Sequence, residues 1–448
     1  QCLVGSEMCI RDSAIPMLIG NIAQQLYNTV DSIVVGRYVG DNALAAVGSA
    51  SPILNLLLVL FVGISVGASI MVSQYFGAKQ REELSGSIGC SITLTAISSV
   101  IIMVVAPFVV RPLLRLLNTP DSIMDWCASY LIILFVGIAG MAYYNILSGI
   151  LRGLGDSVSA LVYLLVATVL NIALDILFVA SFRMGVAGVA LATAIAQAVS
   201  AIMCMFKLAN MKEIFDLKLH YLKPGKKHTT DMIRLGLPSG FTQAIFSMAM
   251  IVVQSLTNSF GEMFIAANVI IMRVDGFAMM PNFSFGTAMT TYAGQNVGAR
   301  KYDRVEKGAK EGTFIAAAVS AVITGLILIF GKYLMGIFTE TGELVKLSMH
   351  LMRILAVGYI AMAVTQCLSG VMRGAGDTMT PMWISLITTV AIRVPLAYGI
   401  AWMTRTPELP NGRNECVFIS LLCSWVLGAL ITLIFYKKGA WKKRALEN

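Results

Sequence analysis

Charged side chains are scarce in this sequence. Asp, Glu, Lys and Arg make up only 13% of the 448 residues, whereas 57% of the residues are hydrophobic. Water-soluble domains carry about 25% charged residues, so the shortage of charge excludes a protein that folds in water alone. Apolar runs of about 20 residues, which suffice to cross the hydrocarbon core of a bilayer, recur along the chain. We therefore expect a membrane protein.

The residues that usually build active sites and metal centres are also few or dispersed. The eight cysteines show neither metal-ligand spacing nor a disulfide framework, and no HExxH or comparable catalytic motif occurs. The three histidines, His220, His228 and His350, are expected in loops or near the end of a span. These absences argue against a membrane enzyme, and no cofactor is expected.

Alternation of polar and apolar residues over about ten positions, which is typical of membrane β-barrels, is missing as well. The apolar runs have the length of transmembrane helices, which predicts an all-α polytopic membrane protein with twelve transmembrane helices. The predicted spans are 14–36, 46–73, 86–110, 128–149, 158–181, 186–208, 235–258, 264–292, 311–331, 347–371, 382–403 and 416–436.

The net charge of +9 could indicate a nucleic-acid partner, but its distribution favours another interpretation. If the N-terminus is inside, most basic residues outside the spans fall in inside loops: Lys79 and Arg81, Arg152, the segments 207–234 and 300–310, Arg373, and the tail from Lys437. This bias predicts a multi-pass protein of the plasma (inner) membrane with both termini in the cytoplasm. No nucleic-acid partner is expected.

The first thirteen residues, "QCLVGSEMCIRDS", differ in character from the apolar span that begins at residue 14. They have neither the regions of a signal peptide nor the periodicity of a helix, and they stop where the first span begins. We interpret residues 1–13 as a non-native leader.

The chain contains an internal repeat. The sequence "LSGILRGLGDS" at 147–157 returns as "LSGVMRGAGDT" at 368–378, with seven of eleven positions identical and an offset of 221 residues. The sequence "QYFGAK" at 74–79 returns at the same offset as "QNVGAR" at 295–300. Such self-similarity is the mark of a duplicated architecture.

The repeat divides the chain into two six-helix bundles. The predicted boundaries are 14–208 for the first bundle, 209–234 for a cytoplasmic basic linker, 235–436 for the second bundle and 437–448 for a basic tail. An even number of helices gives both halves the same orientation, related by a pseudo-two-fold axis along the membrane normal. Two such bundles can enclose a cleft that opens to either side, which is typical of alternating-access transporters.

The repeated Gly-rich segment predicts a turn rather than a phosphate-binding loop. Gly153 and Gly155 fall between the fourth and fifth spans, where glycine permits positive φ and a close backbone approach. We expect Arg152 and Asp156 to stabilise this turn as a pair. A phosphate loop would need a preceding strand, which the sequence does not provide.

Two acids within spans of the first half have no counterpart in the second half. At the repeat offset, Asp31 corresponds to Val252 or Val253 and Asp175 corresponds to Leu396. Other polar residues accompany them at helical spacing on the first, fifth and sixth spans: Gln24, Tyr27 and Asn28; Thr168 and Asn171; Thr193, Gln197 and Ser200. Lipid leaves polar groups without hydrogen bonds, so these stripes are expected to face one another.

A buried pair of carboxylates has two uses. Desolvation and mutual repulsion favour the binding of a proton, and carboxylate, amide and hydroxyl oxygens together can hold a hard cation. The alternative is that Asp31 and Asp175 only join helices through hydrogen bonds, although intramembrane acids are usually functional. Arg273, Asp275 and Arg393 in the second half are expected to have structural roles.

Several of these segments resemble the multidrug and toxic compound extrusion (MATE) family. The resemblance rests on "PMLIGNIAQQLYNTVDSIVVGRYVGDNALAAVG", "QYFGAK", "LRGLGD" and "GLPSGF…AGQNVGAR", and it covers residues 14 to 436. It implies a twelve-helix secondary antiporter that expels amphipathic, often cationic compounds in exchange for Na⁺ or H⁺.

The resemblance is closer to the prokaryotic DinF-like branch, which carries a cation site in its first bundle. It implies that Asp31, Asn171, Asp175 and Thr193 bind the coupling cation, as metal ligands if the cation is Na⁺. It also implies supporting or substrate-contacting roles for Gln24, Tyr27, Asn28 and Asn145, and a helix bend at Pro16. The other bacterial branch has acids on the first and fourth spans of its second bundle, whereas the predicted spans 235–258 and 347–371 contain none.

Other kinds of transport protein account for the sequence less well. A lipid-linked oligosaccharide or polysaccharide flippase of the same superfamily would need many basic residues in its cleft, and only Arg273 and Arg393 are intramembrane candidates. A channel would not require two duplicated halves of which only the first carries the acids Asp31 and Asp175. The expected partners are the bilayer and small amphipathic or cationic compounds, and a monomer is expected.

Overall fold

The computed structural model describes residues 6–116, 119 and 121–443. Within these residues the chain forms fifteen α-helices, two π-helical segments and two short 3₁₀ helices, and it forms no β-strand. The helices of the first half are α1 (Ser6–Tyr38), α2 (Asp41–Gly77), α3 (Arg81–Leu116), α4 (Asp121–Val136), α5 (Ile138–Gly153), α6 (Ser157–Asp175) and α7 (Val186–Ala209). Those of the second half are α8 (Lys226–Asn258), α9 (Glu262–Gly298), α10 (Tyr302–Gly336), α11 (Gly342–Ala356), α12 (Gly358–Gly374), α13 (Met379–Leu386), α14 (Val394–Met403) and α15 (Cys416–Lys438).

These helices build the twelve predicted spans, four of which are interrupted. The fourth span consists of α4 and α5, bent by 52°, and the tenth consists of α11 and α12, bent by 42°. A π-helical segment, Ile176–Ser181, continues α6 in the fifth span, and another, Ile387–Arg393, joins α13 to α14 in the eleventh. The all-α, twelve-helix fold is therefore confirmed.

Most helices extend beyond the predicted spans. Helix α1 begins at Ser6 and α8 begins at Lys226, eight or more residues before the apolar runs. Hydropathy marks only the part of a helix that suits lipid, whereas helical hydrogen bonding continues into polar ends. Part of the predicted leader is thus helical, and residues 1–5 and 444–448 lie outside the described residues.

Among the described residues, eight helices are long and apolar enough to cross a membrane, and the two bent pairs raise this number to ten. Helix α1 is not one of them. The polar side chains Gln24, Gln25, Asn28 and Asp31 lower its hydropathy, which fits a helix that carries a polar site.

The repeat is preserved in backbone detail. Gly155 and Gly376 both have positive φ, at 90° and 94°, and Lys79 and Arg300 are left-handed at 59° and 56°. Each pair is separated by the repeat offset of 221. The same turns therefore recur in both halves with the same local conformation.

The pairing expected for Arg152 and Asp156 is replaced by contacts of each residue with other partners. Asp156 caps α6, accepting hydrogen bonds from the amide and hydroxyl of Ser159 at 3.0 and 2.7 Å, and forms an ion pair with Lys207 at 3.5 Å. The Arg152 guanidinium donates to the Ser148 hydroxyl at 3.2 Å. The Asp156 carboxylate accepts from the Ser159 amide, which has no partner within α6 because it lies at the helix start. It is therefore not free to bind Arg152.

The chain forms two compact units, Ile15–Gly240 and a second that contains Phe241–Asn448. The division between the two units falls inside α8. A Cβ atom added to Gly236 would lie 2.2 Å from the carbonyl oxygen of Gly63 on α2. Only glycine permits this approach, and it ties the first turns of α8 to the first unit.

Small residues also bring helices together within each unit. In the first unit, a Cβ on Gly140 of α5 would lie 2.8 Å from the backbone nitrogen of Ala198 on α7. In the second unit, a Cβ on Gly370 of α12 would lie 2.3 Å from the carbonyl oxygen of Gly286 on α9. Such contacts are typical of helix packing in membranes, where close van der Waals contact replaces the hydrophobic effect.

Candidate functional site

Asp31 lies on the buried face of α1. This carboxyl is 8% exposed and Tyr27, one turn earlier, is 4% exposed. Ala23 and Val35 are buried on the same side of the helix. Gly20 packs on α6, since a Cβ there would lie 3.6 Å from Leu164, so the buried face of α1 is directed toward α6.

Asp175 is the last residue of α6 and directly precedes the π-helical segment. Asp175 and Asn171, one turn earlier, are both fully buried. A π-helical turn widens the helix and turns side chains away from their regular positions, and such turns occur often at functional sites.

Helix α7 contributes Thr193. The side-chain amide of Asn171 donates to the Thr193 hydroxyl at 3.5 Å, and both groups are buried. The Ser200 hydroxyl donates to the carbonyl of Tyr163 at 2.6 Å, which fixes α7 against α6 nearby. Three helices thus bring their polar side chains to one place.

The two carboxyl groups meet at this place. Asp31 lies within interaction distance of Asp175 and of the Thr193 hydroxyl, and Tyr27 is also beside Thr193. Asp31 Oδ1 and both carboxyl oxygens of Asp175 are buried and receive no hydrogen bond. Two ionised carboxylates are acceptors only. They can therefore be joined only by a shared proton or by a cation between them.

Further oxygen atoms around the acids lack a hydrogen-bond partner. They belong to the Asn171 side-chain carbonyl and the Tyr27 hydroxyl, and the buried side-chain carbonyl of Gln197, one turn after Thr193 on α7, also lacks a partner. A buried polar oxygen without a partner costs free energy, and hard cations prefer carboxylate, carbonyl and hydroxyl oxygens. Within the described residues no group of three or more His, Cys, Asp or Glu could hold a metal ion. The donor set of two acids, an amide and a hydroxyl suits a singly charged hard cation or a proton.

The other predicted residues differ from these in burial and in their contacts. Gln24 is half-buried, and Asn28 is exposed and does not share the buried face of Asp31. The side-chain amide of Asn145 donates to the Met141 carbonyl of its own helix at 2.8 Å. Pro16 lies inside α1, which continues through it as one helix.

Sequence reasoning missed Tyr130 of α4. Its side chain is 8% exposed and lies close to both acids. At the repeat offset Tyr130 corresponds to Leu351. The criterion that singled out Asp31 and Asp175, a polar residue present in one half only, would also have found this tyrosine.

Asp275, the acid within the predicted eighth span, has a different environment. The Tyr359 hydroxyl donates to Asp275 Oδ1 at 3.0 Å, and the charge of Arg393 acts on the same carboxylate. Arg273 is exposed. Asp275 therefore has a donor and an opposite charge within the protein, whereas Asp31 and Asp175 face one another.

Comparisons with known proteins agree with this architecture. A protein-family model described as MatE matches the chain twice, over residues 16–177 and 238–399. The "Probable multidrug resistance protein YoeA" of Bacillus subtilis is 29% identical over 441 residues, which are 97% of this chain and 94% of the relative. The "Probable multidrug resistance protein NorM" of Thermotoga maritima is 24% identical over 437 residues, 97% of this chain and 92% of the relative.

The fold has solved relatives as well. A structure described as the "Outward-facing conformation of a multidrug resistance MATE family transporter of the MOP superfamily" is 25% identical, with a TM-score of 0.90 over 98% of this chain and 97% of that chain. The chain belongs to the MATE family of multi-pass membrane transporters, and it is a transporter rather than an enzyme.

Proposed function

We propose that this protein is a secondary active multidrug efflux antiporter, which exports amphipathic or cationic compounds in exchange for Na⁺ or H⁺. The observation that carries the coupling mechanism is the buried contact between the Asp31 and Asp175 carboxyl groups, three of whose four oxygens lack donors. The substrate class is supported by the names of the relatives, which are called multidrug resistance proteins.

The contact between the acids provides a reason for coupling. With a proton or Na⁺ bound, Asp31 and Asp175 are bridged and α1 stays packed against α6. Without the ion, two negative charges repel each other in a medium of low dielectric constant, which favours a conformation in which water reaches them. An ion can drive such a change only by its different affinity for the two conformations, and here the bridged arrangement is the one that binds it.

We place the transport cycle in the plasma membrane, with both termini in the cytoplasm and alternating access between the two bundles. The cation site lies in the first bundle, formed by Asp31, Asn171, Asp175 and Thr193, as in the DinF-like branch. Tyr27 and Tyr130 complete its wall. Asn28, which is exposed, is free to contact substrate instead of the ion.

Transport in proteoliposomes tests the proposal. Uptake of a fluorescent cation such as ethidium would be measured under an imposed Na⁺ gradient and then under an imposed proton gradient. We expect one gradient to drive uptake by the wild type, and Asp31→Asn and Asp175→Asn to reduce it to background. Asp121→Asn is the matched control, because Asp121 is an exposed acid of the same bundle.

The Asn variants must first be shown to fold, by gel filtration and by binding of ethidium without a gradient. If they bind ethidium and still transport like the wild type under both gradients, the coupling site is wrong. If neither gradient drives uptake by the wild type, the antiporter proposal itself fails.

A further inference from the structure

Arg111 and Asp125 form an ion pair near one end of the first unit. The Arg111 guanidinium, in α3, donates to the Asp125 carboxylate, in α4, at 2.8 Å. The repeat offset of 221 places Lys332 and Lys346 at these two positions in the second half. A pair of opposite charges in one half has therefore become two positive charges in the other.

The helix boundaries show that these positions are equivalent in structure. Helix α4 begins at Asp121 and α11 begins at Gly342, a difference of 221 residues. The left-handed residues Lys79 and Arg300, which precede α3 and α10, have the same offset. No insertion shifts the register between these points. Lys346 thus occupies the place of the carboxylate that neutralises Arg111.

The two lysines line an open groove of about 820 Å³ between the end of α10 and α11. Arg353 lines it too, and Lys346, His350 and Arg353 follow one another at i, i+4 and i+7 along one face of α11. The side chains of all four residues are exposed: Lys332, Lys346, His350 and Arg353. The volume falls in the range of about 300–1,000 Å³ that is usual for small-molecule sites.

Acidic groups within the groove do not balance this charge. Glu340 is the acidic residue of the lining, and His350 is engaged by Glu415, with Nε2 and Oε1 3.4 Å apart. Within the described part of the chain, Lys332, Lys346 and Arg353 have no acidic side chain at ion-pair distance. Three cations thus surround a space with one acid, which favours the binding of an anion from outside the protein.

The rest of the lining is apolar and open. Tyr333 of α10 and Ile337, directly after α10, are 75% and 76% exposed, and Val345 and Met349 of α11 form the buried floor. The groove lies where the predicted ninth span, which ends at residue 331, is followed by the end of α10 and the loop before α11. An apolar surface beside a cationic rim at the end of a span is suited to the acyl chain and headgroup of a lipid.

We propose that this groove binds an anionic glycerophospholipid. The phosphodiester lies among Lys332, Lys346 and Arg353 and supplies the negative charge that Asp125 supplies in the first half. An acyl chain covers Tyr333 and Ile337. A free phosphate ion would use the cations but would leave the apolar surface and most of the volume unfilled.

Lipid titration of the purified full-length protein tests the proposal. Native mass spectrometry in detergent would count bound phosphatidylglycerol and, separately, phosphatidylcholine, which has no net charge. The decisive variant is Lys346→Asp, which recreates the ion pair of the first half and should not disturb folding. The matched control is Lys223→Asp, the same charge change at an exposed lysine of the linker.

We expect the wild type and Lys223→Asp to retain one phosphatidylglycerol in preference to phosphatidylcholine, and to unfold at a higher temperature when it is present. Lys346→Asp should weaken this binding roughly ten- to thirty-fold, the effect of two unit charges near a lipid surface, and should lose the thermal shift. If Lys346→Asp does not fold, Lys332→Gln with Lys346→Gln removes the charges without reversing one.

Three results would overturn the proposal. Equal retention of phosphatidylglycerol by the wild type and the lysine variants would mean that the groove is not its site. Equal retention of phosphatidylcholine would mean that charge plays no part. Full displacement by millimolar soluble glycerol phosphate would identify a small-anion site instead of a lipid site.

Discussion

The carboxyl group of Asp31 on α1 lies beside that of Asp175 at the end of α6, and both are buried. Neither Asp31 Oδ1 nor either oxygen of Asp175 has a hydrogen-bond donor. Two explanations give opposite expectations for this pair. If the acids only join helices, their loss destabilises the protein; if they hold a cation, the empty pair is repulsive and its loss is tolerated.

Our first prediction concerns stability rather than transport. In Na⁺-free buffer alkaline enough to ionise both carboxyl groups, Asp31→Asn and Asp175→Asn should each unfold at the wild-type temperature or above it, because either change removes the repulsion between the carboxylates. The double variant should gain little more, with an interaction energy of about 0.5–3 kcal/mol between the sites. Thermal unfolding of the four proteins would measure this. Two destabilising and additive changes would indicate that the acids are ordinary helix contacts.

A second prediction separates two neighbouring residues of α1. The Tyr27 hydroxyl is buried beside Thr193 and Asp31, whereas Asn28 is exposed. Tyr27→Phe removes one oxygen from the cation site without changing the shape of the side chain. It should raise the concentration of Na⁺ or protons needed for half-maximal ethidium transport, whereas Asn28→Ala should leave this concentration unchanged.

Ion titrations of transport in proteoliposomes provide the measurement. An Asn28→Ala variant that changes the ion dependence more than Tyr27→Phe would place the asparagine, and not the tyrosine, at the site.

The positions of Tyr27 and Asn28 show what the sequence could predict and where it stopped. Spacing placed Gln24, Asn28 and Asp31 on one face of α1. Consecutive residues of an α-helix are about 100° apart around the helix axis. A small error in the predicted direction of the buried face therefore assigns Asn28 to it in place of Tyr27. Only packing against α6 and α7 determines which of them is buried.

Features that depend on composition or on the internal repeat are easier to predict from the sequence. The twelve spans followed from apolar length, and the equivalence of Lys79 with Arg300 followed from the duplication. The bend between α4 and α5 and the π-helical segment after Asp175 could not be predicted, since both depend on contacts with other helices. Tyr130 could be predicted from the sequence, because the equivalent position of the second half has no tyrosine. It does not belong to the polar stripes on the first, fifth and sixth spans.

Our third prediction tests the packing of the second unit. A Cβ added to Gly370 of α12 would lie 2.3 Å from the backbone oxygen of Gly286 on α9, so the two helices must separate. Gly370→Ala should therefore lower the free energy of unfolding by about 1–3 kcal/mol. Gly276→Ala on α9 is the control, because a Cβ there meets no atom within 4 Å.

The control should be neutral or stabilise the helix by about 0.5–1 kcal/mol, since alanine restricts the unfolded chain more than glycine does. Thermal unfolding in the same detergent compares the two. Equal effects of the two substitutions would contradict the close approach of α9 and α12.

The last prediction concerns the segment between the two halves. The Arg81 guanidinium donates to the Asp216 carboxylate at 3.1 and 3.2 Å and to the backbone carbonyl of Glu213 at 2.9 Å, and Phe215 is buried. These contacts hold the segment 211–218 against the start of α3. Asp216→Asn should weaken them, and backbone amides of this segment should exchange hydrogen faster than in the wild type at pH 7.

The effect should depend on pH in one direction. The hydrogen bond from Arg81 holds the pKa of the Asp216 carboxyl below its ordinary value, which is about 3.9 in an unfolded chain. A carboxyl with a lowered pKa in the folded state stabilises fully above the unfolded value, and this stabilisation is lost as the pH falls through the folded value. The exchange rates of the wild type and Asp216→Asn should therefore differ at pH 7 and begin to converge only as the pH falls below about 4.

Comparison of the two proteins at each pH removes the intrinsic pH dependence of hydrogen exchange. Glu408→Gln, at an exposed acid in the loop before α15, should leave the exchange of 211–218 unchanged throughout. If Asp216→Asn exchanges like the wild type at pH 7, the carboxylate does not hold the segment. In that case burial of Phe215 and the bonds from Arg81 to backbone carbonyls are sufficient to keep the segment between the halves on the first bundle.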